Sequence, residues 1–165
     1  MATSWDLFKQ TLSVRTLGWW KIPLIAAVRP RVVEMDGDRC VICLPLRRRT
    51  RNHLGSMYFG ALAIGADVAG GLLAVRLIRE RKAKVSLVFK SFRADFLKRP
   101  ESDVYFVCEE GARIRALVET ALASEERHTE PIPLRAEVRP DGGPVETVAE
   151  FVLELSLKRS DKGAI

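Results

Sequence analysis

The sequence is poor in cysteine, histidine and aromatic side chains, and each scarcity removes a class of reading. Three cysteines among 165 residues, Cys40, Cys43 and Cys108, are an odd and sparse set with no framework spacing, which argues against a disulfide-stapled scaffold. Cys40 and Cys43 form a C-x-x-C, but on a strand two side chains three apart point to opposite faces, and no second pair completes a zinc site. No metal is expected. The two histidines, His53 and His128, come with no nucleophile-elbow pattern, which argues against Ser-His-Asp hydrolysis. Aromatics amount to 7% and do not interleave with basic residues as a stacking platform would, so nucleic-acid binding is disfavoured. Repeats and low-complexity linkers are lacking as well, and the first residues do not follow the basic, apolar, small-residue order of a signal peptide. A reducing cytoplasm is the expected location.

What is present fits one domain: 165 residues of which 47% are hydrophobic can bury most of their apolar surface. Lys and Arg exceed Asp and Glu by 27 to 21, giving a net charge of +6. The surplus is concentrated in Arg47, Arg48, Arg49 and Arg51 and in the stretch from Arg76 to Lys84. Such clusters attract polyanions, whether nucleic acid, anionic lipid or a polyphosphate cofactor, and charge alone chooses none of them.

Along the chain, Ser4 as N-cap with Trp5, Phe8 and Leu12 at helical spacing predicts a short amphipathic helix over 4–17, ended by Gly18. A second apolar patch, Trp19 to Ile25, stops at Arg29-Pro30-Arg31. Val32 to Leu46 is rich in β-branched residues and broken by Asp36-Gly37-Asp38, which predicts a hairpin. Met57 to Arg79 is a long apolar run of good helix formers. Val85 to Phe96 reads as a strand with a bulge near Ser91, and Val104 to Glu109 as another. Ile114, Leu117, Val118, Ala121 and Leu122 mark one stripe of a surface helix. Ile132 to Val138 and Val145 to Lys158 form a last hairpin around Asp141-Gly142-Gly143-Pro144, and a loose tail follows. A hairpin, a long helix and then mostly antiparallel strands make an α+β chain.

From Met57 to Val75 only Asp67 is charged. Four glycines and that central carboxylate disfavour a membrane span, so the helix must be enclosed by other elements, and a sheet curled around it does this. Asp67 then has two readings: a carboxylate satisfied by hydrogen bonds or at the helix surface, or a base or nucleophile held in a partly dry cleft.

The segment from Arg51 to Leu62, followed by Ala66-Asp67, resembles the signature of hotdog-fold thioesterases, above all the phenylacetic-acid-degradation type and its uncharacterised relatives. Asn52, Gly55, Gly60 and Asp67 fall at matching places. Val85-Ser86-Leu87 and Phe96-Leu97-Lys98-Arg99-Pro100 look like the strand that follows and its corner. Tyr58 and Phe59 depart from the pattern, standing where the family has His and the first Gly. The resemblance covers roughly residues 30 to 158.

It implies a hotdog fold, a long central helix wrapped by a curved antiparallel sheet, over a 31–158 domain; the reading along the chain adds residues 1–30 as a helical segment packed on that domain and 159–165 as a flexible tail. It also implies hydrolysis of an acyl-CoA or acyl-carrier thioester at a site completed by a second copy, in a homodimer or a pair of dimers. The amides of Phe59 and Gly60 would polarise the carbonyl, Asp67 would act as general base or nucleophile, and Asn52 would orient thioester or water. Ser86 would help hold the water, and Tyr58 offers a hydroxyl. Arg47, Arg48, Arg49, Lys98 and Arg99 are candidates for the phosphates of coenzyme A, which enters as part of the substrate and not as a cofactor. The competing readings are a non-catalytic hotdog dimer that binds a fatty acyl group, and a nucleic-acid or membrane-surface protein working through its arginines.

Overall fold

Residues 3–160 are described in a computed structural model of the chain. Two helices come first, α1 (Ser4–Trp20) and α2 (Pro23–Val28), then the strands β1 (Arg31–Met35) and β2 (Cys40–Leu44). The long helix α3 (Phe59–Glu80) precedes β3 (Val85–Phe96) and β4 (Val104–Cys108). The helix α4 (Gly111–Ala123) and the strands β5 (Arg127–Val138) and β6 (Glu146–Arg159) complete the order.

The six strands form one antiparallel sheet in the order β1-β2-β4-β5-β6-β3. The ladder slips between Val32 and Glu34, between Phe89 and Ser91, and between Ala136 and Glu137. Each slip adds local twist, and together they curl the sheet around α3. At 22 residues α3 is about 33 Å long. It is long and apolar enough to cross a membrane, yet it lies inside the fold: Ala66, Ala69, Leu73 and Leu77 are buried against Ile42, Phe106, Phe151 and Leu153 of the sheet. Gly65 permits the closest approach, because a Cβ there would overlap the Phe106 ring. This is the hotdog arrangement.

Three local expectations need correction. The cap of α1 is Thr3, not Ser4: the Thr3 hydroxyl accepts from the Asp6 N–H at 3.2 Å while the Asp6 carboxylate accepts from the Thr3 N–H at 3.1 Å, a reciprocal capping box. Gly18 does not end the helix, which runs on to Trp20. It is needed there because α2 crosses it, and a Cβ would stand 2.8 Å from the Ala26 nitrogen. Finally β5 begins at Arg127, five residues earlier than predicted, and includes Pro131 and Pro133. Only its 135–138 end is paired with β4, so both prolines sit where one side of the strand is open and no donor is missed.

The expected hairpin, long helix, bulge near Ser91 and surface helix α4 all stand where they were predicted. The N-terminal segment packs on the domain through Leu7 and Val14, and the Thr11 hydroxyl accepts from the Val32 N–H at 2.9 Å. At the other end the Ser160 N–H donates to the Lys84 carbonyl; the remainder of the expected tail, 161–165, lies outside the described residues.

Candidate active site

The start of α3 is fixed from two directions. The Met57 N–H donates to the Pro100 carbonyl at 2.9 Å and the Tyr58 N–H to the Thr50 carbonyl at 2.8 Å. Thr50 is itself held, since its buried hydroxyl donates to the Pro45 carbonyl at 2.8 Å. The loop between is a closed turn: Gly55 takes φ +87°, and the Asn52 N–H donates to the Ser56 carbonyl.

No Ser, Thr, Asp or Asn caps this helix. Tyr58 occupies the N-cap position and makes no side-chain cap hydrogen bond. Among the described residues no protein acceptor meets the N–H of Phe59 or Gly60. Two free amides at the positive end of a long helix are able to donate to a carbonyl or anionic oxygen. The Tyr58 ring folds back over Gly60, where a Cβ would lie 2.5 Å from its Cε1, and the Phe59 ring turns toward Phe96, 6.3 Å between centroids. An aromatic wall therefore borders the amides.

Asp67 stands on the same open face. Seven residues after Gly60 turn the helix through nearly two full turns, so both point outward in one direction but lie about 10 Å apart along the axis. The carboxylate has no hydrogen-bond partner among the described residues, and burial raises its pKa above the ordinary carboxylate value. Phe89 of β3 borders the same face beside Gly71.

The other candidates are placed as follows. Asn52 is committed to its own turn: the carboxamide oxygen accepts from the Leu54 N–H at 2.9 Å and the amide nitrogen donates to the Ser56 hydroxyl at 3.0 Å. Strand alternation from buried Val85 puts Ser86 on the sheet face turned away from α3, where its hydroxyl lies 3.4 Å from both the Lys158 carbonyl and the Arg127 guanidinium. Lys98 and Arg99 precede Pro100 and so flank the helix start, with Lys98 in an ion pair with Glu146. Arg47, Arg48 and Arg49 line a different space, a cavity of about 550 Å³ beside Trp19 and α2. The chain thus brings Tyr58, Phe59 and Gly60 together and, through the Met57–Pro100 hydrogen bond, sets the Lys98-Arg99-Pro100 corner beside the helix start; Asp67 stands about 10 Å along the helix, and Ser86 is not brought to it. Phe89, Phe96 and Thr50 were not singled out as site residues. A strand ending in Phe96 beside the Lys98-Arg99-Pro100 corner was the one signal for any of them.

Among the described residues no group of His, Cys, Asp or Glu could hold a metal ion. Cys40 packs in the core while Cys43 faces the other way, 3.2 Å from the Arg31 guanidinium.

Residues 12–155 match the model of a domain of unknown function, DUF4442. The chain belongs to that family. No curated protein matches it. Among solved structures, this DUF4442 chain resembles a Pseudomonas aeruginosa protein of unknown function provisionally described as a thioesterase (24% identity, TM-score 0.74, 91% of this chain and 96% of that one). It also resembles a provisionally described thioesterase from Shewanella oneidensis (11% identity, TM-score 0.72, 92% and 99%) and a thioesterase from Haemophilus influenzae (13%, 0.61, 96% and 92%). At these identities the likeness establishes the hotdog fold.

Proposed function

We propose that this DUF4442 protein hydrolyses acyl thioesters at two equivalent sites formed between a pair of chains. The observation that carries this reading is the unpartnered, partly buried carboxylate of Asp67 sharing one open helix face with two free amides about 10 Å away. Reacting atoms must come within ~3.5 Å, so neither group can serve the other's substrate within one chain. A second chain laid antiparallel against the same face brings its Asp67 to this chain's Phe59 and Gly60. The edge strand supports such a pairing: β3 is twelve residues long, has no neighbouring strand on one side among the described residues, and leaves Val88, Phe92 and Phe96 partly exposed.

In this site the thioester carbonyl lies against the Phe59 and Gly60 amides. The partner's carboxylate takes a proton from water, the hydroxide adds to the carbonyl carbon, and the amides stabilise the oxyanion. Collapse breaks the carbon–sulfur bond and releases the thiolate, which takes up the proton. An Asp with a raised pKa is a stronger base than an ordinary one, which suits it to this step. Lys98 and Arg99 hold the phosphates of coenzyme A or of a carrier's phosphopantetheine, and Phe89 and Phe96 flank the acyl group. The thioesterases among the structural neighbours are in keeping with this chemistry. The three free, buried cysteines suit a reducing cytoplasm.

One observation favours the non-catalytic acyl-binding dimer instead: the Tyr58 ring covers Gly60. A single assay separates the two readings. The pure protein is incubated with acyl-CoAs from short to long chains and free thiol is measured, with Asp67→Asn in parallel. Hydrolysis predicts turnover that falls at least ~100-fold in the variant, the scale of losing one catalytic acid–base group. Binding of acyl-CoA without release of thiol would establish the alternative.

A further inference from the structure

We infer that the outward face of α1, with the arginines at its C-terminal end, is a docking surface for an anionic lipid bilayer. The inference stands apart from the proposed hydrolysis and does not depend on it.

The helix is apolar on two sides. One side, with Leu7 and Val14, packs into the domain. At about 100° per residue, Trp5, Phe8, Leu12 and Trp19 fall within one arc of about 60° on the opposite side. All four are exposed there, Trp5 by 63% and Trp19 by 76%, and Trp20 next to them by 82%. Ile22 and Leu24 extend the apolar surface past the helix end. Among the described residues no element covers this stripe, and a contiguous exposed patch of this composition marks an interaction surface. Its composition is that of an interfacial helix, with tryptophans whose rings suit the headgroup level and a leucine and phenylalanine that suit the acyl boundary.

The charge beside the stripe selects the partner. Trp19 also lines the cavity that contains Arg29, Arg47, Arg48 and Arg49. Arg29 is set there by a left-handed backbone, φ 54°, and none of the four side chains carries an ion pair among the described residues. Arg15 lies in the same field: burial first, then the charges of Arg29, Arg31 and Arg47, lower its pKa. Lys9 sits over the Trp5 ring, 5.3 Å from its centroid. Other arginines are paired, as Arg31 is with Asp103 and Arg135 with Glu109, whereas these four share one cavity with no carboxylate in its lining. An apolar stripe adjoining unneutralised arginines is complementary to a surface that offers hydrocarbon and phosphate together. A second copy docked by the same face would bring a second set of the same arginines to the contact, because an isologous contact repeats every charge. A nucleic acid would pair with the arginines but leave the apolar stripe uncovered.

The readout is built into the chain, because its three tryptophans, Trp5, Trp19 and Trp20, all lie on α1. The whole protein is mixed with vesicles of phosphatidylcholine alone, or of phosphatidylcholine with phosphatidylglycerol, and followed by co-sedimentation and tryptophan emission. The expected result is sedimentation and a blue shift with the anionic vesicles only, lost in high salt, with quenching by brominated lipid. Arg47→Gln/Arg48→Gln/Arg49→Gln should lower partitioning by roughly a hundredfold, at about fivefold for each basic residue near the surface. Trp5→Ser/Phe8→Ser should lower it at least roughly tenfold, while the melting transition and any thioester turnover stay those of the wild type. Absence of a blue shift with anionic vesicles, or equal binding to the uncharged ones, would overturn the inference. A Trp5→Ser/Phe8→Ser protein that changes its oligomeric mass and keeps its partitioning would overturn it in favour of a second copy.

Discussion

Gly65→Ala tests whether the enclosing sheet presses on α3 as closely as the geometry requires. Gly65 lies in the middle of the helix against Phe106, and a methyl group there would overlap the ring. The ring has little freedom to yield: Phe106 is fully buried and packs on Phe151 with centroids 6.2 Å apart. Overpacking of this kind costs up to about 3 kcal/mol. Replacing a mid-helix glycine by alanine returns about 1 kcal/mol of helix propensity. The balance is a loss of about 2 kcal/mol, which for a chain of this size lowers Tm by roughly 4–8 °C. Phe106→Leu supplies the second arm, since removing the ring opens the space that the methyl needs. Denaturant titration of both single variants and the double variant should give a double mutant more stable than the sum of the two losses predicts, by about 1–2 kcal/mol. Additive losses, or a Gly65→Ala protein more stable than wild type, would show that the ring is not what excludes a side chain at this position.

Burial holds the Asp67 carboxyl above its ordinary value, so the folded chain keeps its proton to higher pH than the unfolded chain does, and stability declines as pH rises through that window. Asp67→Asn should therefore raise Tm at neutral pH and leave it nearly unchanged in acid; an equal shift at both would contradict the burial argument. Phe92→Asp puts a charge on the free edge of β3 and should halve the mass seen by light scattering and abolish turnover, whereas an unchanged mass would place the contact between chains elsewhere. Burial pushes the Cys108 thiol up to about 11, and Cys40 and Cys43 are buried and raised as well. The native protein should take up no alkylating reagent at mildly alkaline pH until it is unfolded, and rapid labelling would show the strands to be open.

The fold was legible wherever one hydrophobic period ran undisturbed. The apolar run of α3, the Asp36-Gly37-Asp38 break and the slipped alternation near Ser91 each carry a local signal that packing does not override. Gly18 and the prolines of β5 misled because their meaning is set at a distance. One is a crossing point for α2, and the others lie beyond the last residue of β4 that could have claimed their missing donors. The site was legible as spacing and not as geometry. Motif spacing placed Gly60 and Asp67 on one helix, and the 3.6-residue period puts them on one face. Nothing in the spacing said that the Asn52 carboxamide closes its own turn, nor that the Arg47–Arg49 turn opens beside Trp19 rather than beside the helix start. The outward stripe of α1 was in plain view as Trp5, Phe8 and Leu12, but its period alone could not tell an inner face from an outer one.

In the proposed site catalysis joins Asp67 of one chain to the helix start of another, and mixing two inactive variants reads out that sharing. Asp67→Asn removes the base, and Gly60→Val crowds the amides against the Tyr58 ring. Each pure variant should release no thiol from acyl-CoA. Each mixed dimer holds one intact site, so subunit exchange should restore about a quarter of wild-type turnover. Mixed dimers demonstrated by native mass spectrometry that remain as inactive as their parents would contradict the shared site.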